Sequence, residues 1–126
     1  MPKKKELNQN VKLWVEALRS GKYNQCRGSL RTKNRRKYSY CALGVAMKVA
    51  ETHGVIIEEH HWDRASLPYS VMDWLGLRRD NFQVKLNSHS VIFLNDTSEL
   101  DFKEIAKQIE LHPTVFETPK LNQGER

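Results

Sequence analysis

Residues 37–50 read Lys37-Tyr38-Ser39-Tyr40-Cys41-Ala42-Leu43-Gly44-Val45-Ala46-Met47-Lys48-Val49-Ala50, and the spacing of the apolar side chains changes within this run. Up to Tyr40 polarity alternates, which is the period of a strand with one buried face. From Cys41 onward, Ala42, Val45, Ala46, Val49 and Ala50 recur at helical spacing, and their small side chains predict a helix packed closely into the core and ended before Gly54. Upstream, Ser29-Leu30-Arg31-Thr32 also alternates, and Lys33-Asn34-Arg35-Arg36 joins the two runs. A hairpin with a basic turn therefore leads directly into a buried helix.

On the N-terminal side, Val11, Trp14, Val15 and Leu18 predict an amphipathic helix over 9–20, with Asn8 or Asn10 as N-cap and Gly21 as its stop. Beyond Gly54, Val55-Ile56-Ile57 is expected as a short strand, and 58–67, with His60, His61 and Trp62, as a polar connection. Ser66-Leu67-Pro68 then starts a helix through Trp74 and Leu75, ended by Gly76. Val84, Leu86 and Val91-Ile92-Phe93-Leu94 are read as extended structure before a turn at Asn95-Asp96. Asp101 and Glu104 have reciprocal capping spacing, and Phe102, Ile105, Ala106 and Ile109 share one face of a final helix. The expectation is a compact, mostly helical α+β domain over 9–112 with a small antiparallel sheet. It is flanked by a flexible basic N-terminus, 1–8, and a poorly ordered tail, 113–126.

A chain of 126 residues suits one domain around one core, and a hydrophobic content of 39% excludes a wholly disordered chain. No apolar run approaches the roughly 18 residues of a membrane span, and polar residues follow Lys3-Lys4-Lys5, so a cytoplasmic protein without membrane association is expected. Cys26 and Cys41 are expected as reduced thiols. The net charge of +6 is unevenly placed: Arg27, Arg31, Lys33, Arg35, Arg36 and Lys37 fall within 27–37 with no acid among them. Six charges in that segment equal the whole surplus, which concentrates anions there.

Several separated segments, taken together, carry a resemblance. They are Trp14-Val15-Glu16-Ala17-Leu18-Arg19-Ser20-Gly21-Lys22-Tyr23-Asn24-Gln25, Tyr40-Cys41-Ala42-Leu43-Gly44-Val45, Leu67-Pro68 with Trp74-Leu75-Gly76-Leu77, and Leu94-Asn95-Asp96 before Phe102-Lys103-Glu104-Ile105-Ala106. In this order, over about residues 13–110, the chain resembles a widespread, functionally uncharacterised family of small bacteriophage and prophage proteins. The resemblance implies an accessory role in host takeover or counter-defence and supplies no mechanism.

Read from the residues, the leading expectation is non-enzymatic binding of an anionic ligand, a nucleotide signal or nucleic acid, or of a host defence protein. Arg27, Arg31, Arg35, Arg36 and Lys37 are the candidates for electrostatic capture, because guanidinium groups present paired donors to phosphate, and Tyr38 and Tyr40 for stacking on bases. Trp62, Tyr69 and Trp74 are the aromatic candidates for anchoring on a protein partner. The alternative is a cysteine hydrolase or transferase with Cys41 at a helix start and His89 as base. Cys26, Cys41, His53, His60 and His61 carry atoms suited to zinc, but neither a paired-cysteine knuckle nor a His-Glu-x-x-His helix occurs, so no metal or other cofactor is expected. The sequence leaves homo-oligomerisation open.

Overall fold

The computed structural model describes residues 6–117, so the expectations for 1–5 and 118–126 lie outside the described residues. Helix α1, Gln9–Arg19, buries Val11, Trp14, Val15 and Leu18, the stripe that its spacing predicts. Asn8 is its N-cap: Oδ1 accepts from the Val11 N–H at 2.9 Å. The Asn8 amide also donates to the carbonyls of Leu75 at 3.0 Å and Phe116 at 2.9 Å. One capping side chain thus joins the start of α1 to two distant segments.

The sheet has three strands in the order β1-β3-β2: β1 is Asn24–Gln25, β2 Arg31–Asn34 and β3 Lys37–Tyr40. The predicted hairpin is β2 and β3, paired antiparallel. The sheet is mixed because the two-residue β1, too short and polar to read from sequence, pairs parallel to β3. Tyr40 then enters helix α2, Ala42–Thr52, in which Ala42, Leu43, Gly44, Val45, Ala46, Met47, Val49 and Ala50 are all buried. A helix apolar on most of its circumference belongs in the centre of a core. Gly44 brings α2 against the hairpin's entry, since a Cβ there would lie 1.9 Å from the carbonyl oxygen of Leu30.

Helices α3, Tyr69–Leu75, α4, Val91–Asp96, and α5, Phe102–Glu110, complete the α+β domain. Gly76 ends α3 at φ 83°, as expected of a left-handed C-cap. Asp101 and Glu104 form the predicted capping box, and α5 buries Phe102, Ile105, Ala106 and Ile109.

Three local expectations are corrected. Residues 55–57 form no strand, and Ile56 is 86% exposed. Residues 91–94 are helical because Ser90 caps α4, its Oγ accepting from the Phe93 N–H at 3.0 Å. Residues 113–116 form a 3-10 turn that buries Phe116, edge-on to Trp14 at 6.1 Å between ring centroids. Among the described residues no helix is long and apolar enough to cross a membrane.

Candidate functional site

The hairpin register places Lys33 opposite Tyr38 and Asn34 opposite Lys37, leaving Arg35-Arg36 as a two-residue turn. Arg35 adopts φ 61°, a left-handed conformation needed by such tight turns and mildly unfavourable for a residue with a Cβ. Lys33, Arg35, Arg36 and Lys37 are exposed, and among the described residues no carboxylate pairs with any of them. Arg19, Arg78 and Arg79 differ: each faces an acid, Glu110, Asp80 and Asp73 respectively. Among the described residues the hairpin tip is therefore a cluster of four cations with no paired counter-charge.

The base of the hairpin is held rigidly. Arg31 lies between two aromatic rings, its guanidinium carbon 4.4 Å from the Tyr38 centroid and 4.5 Å from that of Trp62, and it pairs with Glu59. A planar guanidinium in contact with two rings makes interactions that a lysine cannot reproduce. Lys33 also approaches the Tyr38 ring, at 5.5 Å, and Tyr38 remains 39% exposed.

Residues that look alike in sequence are separated here. Arg35, Arg36, Lys37 and Tyr38 are presented to solvent, and Lys33 joins them. Tyr40, expected as a stacking group, is buried at 7% exposure against Tyr23 and Trp62, and burial raises its phenol pKa above the ordinary value. Its position at the entry to α2 forces it into the core. Arg27 caps the end of α4, its Nε donating to the Asn95 carbonyl at 2.7 Å and its Nη2 to the carbonyls of Glu99 and Leu100. Arg27 and Arg31 thus support the hairpin and the tip residues face outward.

Asn95 positions this scaffold; the sequence reads it as a turn residue within the Leu94-Asn95-Asp96 segment of the resemblance, with no sign of this role. It is 1% exposed; its Oδ1 accepts from Gln25 Nε2 at 2.8 Å and from the Ala42 N–H at 3.2 Å, and its Nδ2 donates to the Cys26 carbonyl at 3.0 Å. Asp96 extends the contact by accepting from the Gly28 N–H at 3.0 Å. The two residues fasten β1 and the loop before β2 to the first turn of α2.

The geometry gives the cysteine-enzyme alternative no support. Cys41 is the N-cap of α2, and backbone N–H groups of Leu43 and Gly44 favour its thiolate, but burial outweighs them and pushes the thiol up to about 12. His89 packs on Phe93, with ring centroids 4.7 Å apart, and among the described residues no hydrogen bond joins it to Cys41. Of the aromatic anchors, Trp62 is buried, Trp74 is partly buried, and Tyr69 is exposed beneath Arg79. Surface concavities of about 410 and 750 Å³ are lined by residues of 80–93 and by residues of α1 with Glu6, Leu7, Ser20 and Glu110; hairpin residues line neither.

Compared with curated proteins and with solved structures, the chain has no significant match. A family model does match, over residues 7–112, spanning the hairpin and the five helices. The chain belongs to the family described as a domain of unknown function, DUF8296.

Proposed function

We propose that this protein binds nucleic acid without catalysis, through the phosphate backbone, using the hairpin tip. The observation that carries the reading is the cluster of Lys33, Arg35, Arg36 and Lys37, unpaired among the described residues, on a base braced by Arg31. Uncompensated cations on a projecting surface gain more from a polyanion, by counterion release at each contact, than from a single small anion. Tyr38 adds a partly exposed ring beside the cations, suited to stacking on an unpaired base. A nucleotide signal is less well served, since tight capture of a small ligand calls for a concave site and hairpin residues line neither concavity described above.

The biological setting we propose follows the motif resemblance: an accessory protein of a bacteriophage or prophage, acting in host takeover or counter-defence by occupying nucleic acid. Titration of a labelled duplex and a labelled single strand at two salt concentrations tests the binding. Four phosphate contacts predict a duplex affinity loss of about a hundredfold between 50 and 200 mM salt. An affinity indifferent to salt removes the proposal. Retained binding of an acidic host protein in place of nucleic acid replaces it with the protein-partner reading.

A further inference from the structure

Glu58, His60 and His61 sit together at the 3-10 turn Glu59–Asp63, each offering one ligand atom within 4.8 Å of the others. We infer that these three side chains form a binding site for a divalent transition-metal ion of the zinc type. Two imidazoles and one carboxylate are a donor set that suits such ions, with further positions left to water or an external ligand.

Two independent features support the site. Nitrogen and oxygen ligands about 2.0–2.2 Å from a tetrahedral ion stand about 3.4 Å apart. Glu58 Oε1 and His60 Nδ1 are separated by 3.5 Å, so this edge already has the spacing of two ligands around one ion. The second feature is His61, whose Nδ1 is buried and has no hydrogen-bond partner among the described residues. A buried polar atom left unsatisfied calls for a specific explanation, and an imidazole whose bonding is completed by an ion provides one. Glu58 and His60 are exposed, giving an ion access and giving both side chains freedom to close the remaining distance.

The turn is also anchored where the cluster sits. Glu59 pairs with Arg31 of β2, and Trp62 is buried against Tyr40. Burial of Trp62, directly after His61, anchors the backbone that carries the ligands beside the hairpin, which lowers the ordering cost of binding. Sequence spacing gave no sign of this site, because Glu-x-His-His matches neither a zinc knuckle nor a helical His-Glu-x-x-His pattern.

The test is calorimetric titration of zinc chloride into the untagged full chain, with Co²⁺ absorption reporting coordination geometry. One site per chain is expected. Glu58→Gln and His60→Ala change exposed residues and preserve the fold, and each is expected to weaken Zn²⁺ binding by at least about tenfold, the lower range seen even for residues behind the ligands. Cys26→Ser and His89→Ala are expected to leave it unchanged. Absence of binding by Zn²⁺, Ni²⁺ and Cu²⁺, or an affinity that survives Glu58→Gln and His60→Ala or follows Cys26 instead, overturns the inference.

Discussion

The Arg31 guanidinium lies 4.5 Å from the centre of the Trp62 ring and so ties the hairpin to a buried side chain of the domain. Because the guanidinium also lies over the Tyr38 ring, Arg31→Ala removes two cation–aromatic contacts together. The ion pair with Glu59 adds little, since Glu59 is 80% exposed. Loss of about 1–2 kcal/mol is expected in denaturant unfolding. Arg31→Lys should recover only a minor part, because an ammonium keeps the charge without the planar stacking surface; full recovery would show that charge alone holds the hairpin.

Gly44→Ala pits two effects against each other. Replacing a helical glycine favours the helix by about 1 kcal/mol. Against this, the new Cβ meets the Leu30 carbonyl oxygen at 1.9 Å, and backbone must move to admit it. A net loss of about 3 kcal/mol or more is expected from thermal or urea unfolding. A neutral result would mean that α2 and the start of the hairpin do not pack this closely.

Removal of the Asn95 amide in Asn95→Ala leaves Gln25, the Ala42 N–H and the Cys26 carbonyl without their common partner. Burial of those groups without replacement costs about 2–4 kcal/mol, read from the unfolding midpoint. Hydrogen exchange should rise first at Ala42 and along β1, the segments that the amide joins; unchanged exchange there would contradict this role.

The Cys41 thiol keeps its proton to about 12 in the folded protein, against an ordinary 9.0. Iodoacetamide should therefore label Cys41 slowly, and raising the pH from 7 to 9 should not make it reactive. The sign for stability follows: between the two values ionisation favours the unfolded chain, so the contribution of this group is complete below pH 9 and declines toward pH 12. Rapid alkylation of Cys41 at neutral pH would restore the enzyme alternative.

Sequence patterning reached the elements with long apolar periods and explicit caps. In α1 and α5 the predicted stripes are the buried faces, and in α2 the predicted stripe is buried together with Leu43, Gly44 and Met47. Patterning failed where an apolar run was short: Val91-Ile92-Phe93-Leu94 reads equally as strand or helix, and Ser90 resolves it only through a hydrogen bond. At Val55-Ile56-Ile57 composition suggests a strand, yet among the described residues no strand pairs with it and Ile56 faces solvent. The candidate site shows the same division. Its charge was legible in the count, whereas the difference between Arg27, turned onto the end of α4, and Arg36, left free at the tip, arises from tertiary contacts that no spacing records.

The most direct measurement is fluorescence anisotropy of a labelled DNA duplex titrated with the wild-type chain and with the Arg35→Glu, Arg36→Glu double variant. Both positions are exposed and unpaired among the described residues, so the fold is expected to persist, with unfolding curves as the check. Binding by the variant should fall by more than tenfold at low salt. Its salt dependence should also flatten by about two phosphate contacts, roughly 1.8 in the slope of log affinity against log salt. Equal affinity and equal slope for the two proteins would contradict the assignment of the hairpin tip as the nucleic-acid contact.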